Sequence, residues 1–106
     1  MSGIFSTESL LAETTPDWRY KEFLRVPAMS AGVYVLPLGA TDGQSPHQED
    51  EIYYVVRGKA KVRIGANEWP AQPGDIIFVD ARAEHRFFDI EEELVLLVVF
   101  TPAETG

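Results

Sequence analysis

The sequence predicts an all-β barrel or sandwich. Short apolar runs rich in β-branched and aromatic residues follow one another closely from about residue 17 onward. Turn residues separate them at Gly65-Ala66-Asn67 and Pro73-Gly74-Asp75, with a tight junction at Arg57-Gly58. No segment carries a helical apolar period of ordinary helix length, and no repeat or low-complexity tract interrupts the pattern. Many short strands with glycine and proline turns are the mark of a closed or two-layered β fold.

Residues 1–16 form a short N-terminal extension, in which Leu10 and Leu11 fit a brief helical turn starting near Ser6 or Thr7. Residues 17–106 read as one β domain. Trp18 to Val26 alternates loosely. Ala31 to Leu38 holds Val33, Tyr34, Val35 and Leu36 and is ended by Pro37 to Gly39. Glu51 to Arg57 is β-branched and aromatic, and Lys59 to Ile64 alternates cleanly between charged and apolar residues, as a half-buried strand does. Glu68 to Ala71, Ile76 to Val79, His85 to Phe88 and Leu94 to Phe100 complete the series. The acidic run Asp89 to Glu93 reads as a solvated loop that shields the apolar strand after it.

Composition narrows the function classes. A chain of 106 residues, 45% hydrophobic, suits one domain and one core. The absence of cysteine removes disulfides, thiolate metal sites and thiol nucleophiles. It fits a reducing compartment, and Met1 to Phe5 lacks the basic and long apolar regions of a secretory signal, so a cytoplasmic location is expected. The run Leu94 to Phe100 is far too short to span a bilayer, and no membrane association is expected. A net charge of -8 makes nucleic acid a poor partner, because phosphate binding needs a basic face.

Parity assigns side chains to faces. Glu51, Tyr53 and Val55 share one face of their strand, and Ile52, Tyr54 and Val56 the other. Ala60, Val62 and Ile64 form the apolar face of the next run. His47 has the parity of Glu51, and His85 that of Phe87, so His47 and Glu51 fall near one mouth of an interior lined by Tyr53, Val55, Ala60 and Val62. His47 and His85 are the only histidines. Two imidazoles and a carboxylate are a minimal nitrogen/oxygen set for a divalent metal with open positions.

These residues resemble the cupin family, small β-barrels of the double-stranded β-helix type. The family's first motif has a glycine, two histidines spaced one apart, a glutamate, six residues and a glycine. Here Glu51 and Gly58 match and His47 takes the second histidine's place, while Ser45 stands where the first histidine would be. The second motif is Pro-Gly-Asp, a strand, then Pro-x-Gly-x-x-His. Pro73-Gly74-Asp75 and His85 match it; Asp80 replaces the proline, Arg82 the glycine and Asp89 a terminal asparagine. The resemblance implies a cupin-type jelly-roll barrel with a short N-terminal extension. It further implies one divalent ion (Fe, Mn, Ni, Co or Zn) on His47, Glu51 and His85. Ser45, Gln44 or Asp50 could reach the position of the missing histidine.

Tyr34 and Tyr53 are candidates for substrate contact, against the plainer reading of core packing. Arg82, beside His85, reads either as a solvent-exposed arginine or as a clamp for a ligand carboxylate. A small-molecule ligand in the barrel is expected, with oxygenase, isomerase or lyase chemistry if the protein is an enzyme. A non-catalytic binding or sensing barrel is the alternative, and a barrel that only scaffolds a dimer is a third. Apolar residues on both parities, with Tyr54 and Val56 opposite Tyr53 and Val55, predict a homodimer that covers the outer face.

Overall fold

A computed structural model describes residues 2–105 of the chain. It contains one short helix and six strands: α1 (Thr7–Leu11), β1 (Tyr20–Val26), β2 (Met29–Leu36), β3 (Asp50–Ile64), β4 (Asn67–Ala71), β5 (Ile76–Val79) and β6 (His85–Thr101). All pairings are antiparallel. The strands run in the order β1-β2-β6-β3-β4, and β5 lies against the first half of β3. The two long strands are the spine: β3 and β6 pair over nearly their whole length, from Asp50 opposite Thr101 to Ile64 opposite His85. One face of this curled sheet encloses the core, where Leu36, Tyr53, Val55, Val62, Phe87 and Leu96 are almost fully buried. Among the described residues no helix is long and apolar enough to cross a membrane.

Two readings of the sequence are corrected. Arg57-Gly58 does not join two strands; it lies inside a continuous β3 of 15 residues. Asp89 to Glu93 is no loop; it belongs to the 17-residue β6. In both places an irregular pairing replaces the expected turn, with register shifts between Val55 and Lys61 along β3. Buried positions on β3 are odd-numbered before Gly58 (Glu51, Tyr53, Val55) and even-numbered after it (Ala60, Val62). On β6 they pass from His85 and Phe87 to Ile90, Leu94 and Leu96. An extra residue inserted in a strand changes which parity faces the core, so both strands stay apolar inside while bending around the barrel. The acidic run stays solvated within its strand, where Asp89 and Glu91 lie 3.4 and 3.3 Å from Lys61 and Lys59 of β3.

Gly58 makes the β3 irregularity possible. Its φ is +102°, and a Cβ there would overlap the Glu93 carbonyl oxygen and sit 2.6 Å from Leu94 Cα. The neighbouring strand leaves no room for any side chain.

The N-terminal extension is tied down by one turn of helix. The Ser6 side chain accepts the Ser9 N–H at 3.4 Å, an N-cap, and Leu10 is the buried anchor. At the other end, the tail after β6 folds back over the barrel. The Glu104 N–H donates to Ser30 Oγ at 2.9 Å, and Thr105 Oγ1 donates to the buried Glu49 carboxylate at 2.7 Å.

The bulge predicts a contrast between two glycines. Gly58→Ala combines left-handed backbone strain with backbone overlap and is expected to cost about 3 kcal/mol. Gly65→Ala, at φ +59° with open space around it, is expected to cost only about 1 kcal/mol. Urea denaturation of both variants checks this; equal losses would mean that the close approach to β6 does not constrain position 58.

Candidate metal centre

The site is assembled from three parts of the chain. Glu51, the second residue of β3, lies between Val79 of β5 and Phe100 of β6. Its parity turns it inward, and it is 2% exposed. His85 opens β6 and is also buried. His47 comes from the connection between β2 and β3, not from an extended strand as its parity suggested. Its carbonyl accepts the Arg82 N–H at 2.6 Å, and its ring meets the Phe100 ring edge-on with centroids 4.8 Å apart. One donor atom from each of His47, Glu51 and His85 lies within 4.8 Å of the others.

The surroundings fix each group. His85 Nδ1 is 2.9 Å from the Ala83 carbonyl oxygen, which can only accept, so Nδ1 carries the hydrogen and Nε2 presents a lone pair when the ring is neutral. That Nε2 lies 3.2 Å from Glu51 Oε1 and 3.1 Å from the Tyr53 hydroxyl. His47 Nδ1 faces the Glu104 carboxylate at 3.2 Å, and its Nε2 lies 3.3 Å from Gln44 Oε1. Among the described residues both oxygens of Glu51 are buried and receive no hydrogen bond while His85 is neutral; only a protonated His85 ring, 3.2 Å away, would donate to them. A bare buried carboxylate is costly, and a cation beside it removes that cost.

The donor set therefore fits a divalent ion on chemical grounds. Two imidazoles, each with its remote nitrogen held by an oxygen acceptor, converge on a carboxylate with both oxygens free. Outer partners of this kind orient ligating imidazoles and fix their tautomers.

The same arrangement shapes protonation. Burial works against the charged His85 ring, but the adjoining Glu51 carboxylate and the Ala83 carbonyl outweigh it, and the net shift is upward. Burial and the Glu51 charge hold the Tyr53 phenol well above the usual tyrosine range. Burial, then the neighbouring Glu51 and Glu49 charges against the pull of His47, leave the Glu104 carboxyl raised.

The remaining sequence candidates fall in different places. Tyr53 joins the cluster through its hydroxyl. Tyr34 stands one step back: its hydroxyl donates to Asp42 Oδ1 at 3.0 Å, and its ring lines an apolar cavity of about 190 Å³ with Tyr20, His47, Val98, Phe100 and Glu104. Arg82 is not brought into the cluster. It is exposed, in a left-handed turn at φ 67°, and among the described residues its guanidinium makes no hydrogen bond or ion pair. Arg63 and Arg86 instead line a polar cavity of about 350 Å³, which reaches His85, Gln44 and Ser45. Asp50 is committed elsewhere, accepting the Ala81 N–H at 2.9 Å. Ser45 is exposed on the rim.

Sequence reasoning missed three participants. Asp42, 2% exposed, accepts from the Phe87 N–H at 2.9 Å and from Tyr34. Glu104 reaches His47 from the tail after the last strand. Tyr20 packs against Gly32, where a Cβ would overlap its ring, and among the described residues its buried hydroxyl, at the apolar cavity, has no partner. A lone aspartate in a loop and a glutamate near the C-terminus carry no spacing signal; both are defined only by where the loop and tail cross the barrel.

Comparison with known proteins agrees with this architecture. The cupin domain model matches residues 32–100, and the chain belongs to that family. It is 41% identical over 102 residues to the uncharacterized protein SCO3923 of Streptomyces coelicolor, covering 95% of this chain and 97% of that one. Among solved structures it is similar to TT1209 of Thermus thermophilus, with 26% identity, a TM-score of 0.77, and 94% and 97% of the two chains covered. A conserved double-stranded β-helix protein of Klebsiella pneumoniae superposes with a TM-score of 0.81 at 18% identity, over 100% and 95% of the chains, a likeness of fold.

The geometry predicts how His85 titrates in metal-stripped protein. A pKa raised on folding gives stability that is present below the unfolded value near ~6.5 and lost as pH rises through the folded value. Metal-stripped protein is thus expected to lose stability on going upward from about pH 6.5. Glu51→Gln removes the charge and leaves burial, so the His85 pKa should drop and the slope should flatten or reverse. NMR titration of the two imidazoles with melting curves across pH checks both; an unchanged His85 pKa in Glu51→Gln would overturn the assigned cause.

Proposed function

We propose that this cupin holds one divalent transition-metal ion on His47, Glu51 and His85 and uses it to bind a small organic molecule. The observation that carries this is the Glu51 carboxylate, buried with both oxygens free of hydrogen bonds beside two oriented imidazoles. An ion there would supply Lewis-acid polarisation of a ligand oxygen. The protein's own groups do the rest. Tyr53 keeps its proton at neutral pH and can donate it to a bound group. The apolar cavity of about 190 Å³ and the polar one of about 350 Å³ adjoin the cluster through His47 and His85 respectively, and they limit the ligand to small-metabolite size.

An oxygenase, isomerase or lyase of small organic substrates is the activity class we favour. Ser45 at the first-histidine place favours a second reading, a binding or sensing barrel with a weakened site. The net charge of -8 argues against nucleic acid as a partner, and the cysteine-free composition fits the cytoplasm.

We also infer a homodimer. Ile52 and Tyr54 of β3 stand opposite Phe78 and Ile76 of the edge strand β5. Ile76 is 72% and Phe78 54% exposed, and Trp69 borders the same groove. An apolar strip of this kind on an edge is ordinarily covered.

Two outcomes are expected. Adding Fe(II), Mn(II), Ni(II), Co(II) or Zn(II) to metal-stripped protein should raise the melting temperature, with about 2.7 kcal/mol gained at a hundredfold excess over Kd. His47→Ala or His85→Ala should abolish the rise, and Ser45→Ala should barely alter it. No rise with any of the five ions at neutral pH would leave the binding-barrel reading in place of this one. Separately, light scattering should give a dimer at about tens of micromolar, the range of ordinary obligate dimers, and Phe78→Asp should shift it to monomer. A wild-type monomer at that concentration would refute the dimer.

A further inference from the structure

We propose that Gln44 completes the metal centre, giving its side-chain carbonyl oxygen as a fourth protein ligand in place of the histidine that Ser45 replaces. This rests on the metal-binding reading above and adds a residue that the motif does not contain.

The orientation of the amide is determined by its partner. Gln44 Nε2 is 3.1 Å from Asp42 Oδ2, a carboxylate oxygen that can only accept. The NH2 end must therefore face Asp42, which turns Oε1 the other way. Asp42 is itself a firm anchor: it is buried, and it accepts from the Phe87 N–H at 2.9 Å, the Tyr34 hydroxyl at 3.0 Å and Gln44's own N–H at 3.3 Å. The anchor is tied to β2, to β6 and to the loop, so the acceptor that orients the amide is itself fixed in place.

The outward-turned oxygen lands at the edge of the cluster, where it accepts from the Tyr53 hydroxyl and faces the His47 ring. Gln44 Oε1 lies 3.3 Å from His47 Nε2 and 3.1 Å from the Tyr53 hydroxyl, which is itself 3.1 Å from His85 Nε2. With both imidazole Nδ1 atoms turned to oxygen acceptors, the neutral rings offer lone pairs at Nε2. The Gln44 oxygen thus stands against the His47 lone pair, beside a ring whose donor atom groups with those of Glu51 and His85, and among the described residues the Tyr53 hydroxyl is the hydrogen donor it meets. Lone pairs crowded this way repel unless a cation sits among them. Ser45, by contrast, is exposed on the rim of the polar cavity.

An amide oxygen is a harder, neutral donor than imidazole. Replacing one histidine of a three-histidine set by it shifts preference away from nickel and zinc, toward manganese and ferrous iron. The protein charge at the centre remains that of Glu51 alone.

The test is equilibrium titration of metal-stripped full-length protein with Mn(II), beside the visible absorption spectrum of the Co(II) form. Wild type should bind one Mn(II) per chain. Gln44→Ala should weaken Mn(II) binding about tenfold or more and change the Co(II) band intensity, because a ligand is lost. Gln44→Glu, with an anionic oxygen at the same reach, should keep or tighten Mn(II) binding. Ser45→Ala should match wild type. Melting curves of the metal-stripped variants establish that each is folded, and Gln44→Glu serves if the alanine variant is not. Mn(II) affinity within twofold of wild type in Gln44→Ala overturns the proposal. So does weaker binding in both Gln44 variants with an unchanged Co(II) spectrum, which would make Gln44 a positioning residue for His47. A wild type that binds no metal overturns the metal reading itself, a result distinct from a wild type that binds and a Gln44→Ala that binds equally.

Discussion

The buried carboxylate of Glu51 is the constraint on which the rest of the site depends. Its position is dictated by ordinary strand geometry: it shares a face with Tyr53 and Val55, and that face is the core. A carboxylate so placed must be neutralised, hydrogen-bonded or bound to a cation. Among the described residues it faces two imidazoles and, with His85 neutral, receives no hydrogen bond. Every outer contact keeps those imidazoles turned toward it: the Ala83 carbonyl behind His85, the Glu104 carboxylate behind His47, and the Arg82 N–H holding the His47 main chain. The loop, the tail and the start of β6 all serve one buried charge.

The barrel reaches that arrangement through its irregularities. A straight β3 with Glu51, Tyr53 and Val55 inside would turn Ala60 and Val62 outward and place Lys59 and Lys61 in the core. The bulge at Gly58 changes the parity and keeps the lysines wet, and the change on β6 does the same for the acids facing them. Cross-strand pairs such as Lys61 with Asp89 are exposed and contribute little stability individually. Their use is to keep the outer face of two long strands charged and soluble where the strands bend.

This explains how much could be read from the residues alone. Face assignments for Tyr53, Val55, Ala60, Val62, His85 and Phe87 were legible because each depends only on a few residues of local alternation, which a bulge between runs does not disturb. Gly58 was legible as a special backbone position, but a tight turn and a bulge ask the same of a glycine, and only pairing with β6 separates them. His47, Glu51 and His85, which the structure brings together, could be picked out as candidate ligands because few residue types can ligate and the chain has only two histidines. Arg82 was drawn toward the site by adjacency in sequence; a left-handed turn at that residue carries its side chain out to solvent. Asp42 and Glu104 were beyond reach, since each acts across a long sequence separation, 45 residues to Phe87 in one case.

The position of the centre between two unlike cavities follows from the same crossing of loop and tail. His47 and the tail's Glu104 close the apolar side with Phe100 and Val98; His85 and Arg86, from the start of β6, border the polar side. Gln44 touches both. The two sides of the cluster therefore differ in chemistry, apolar carbon on one and arginine on the other. Asp42 sets the Gln44 amide, and its other contacts run to Tyr34 on the apolar side and to Phe87 in the core. Loss of the Asp42 carboxylate would leave the Phe87 N–H buried without its acceptor and free the amide to turn, so its effect would be felt in core stability and in the centre together. A residue with no chemistry of its own thus couples the packing of the barrel to the geometry of the site.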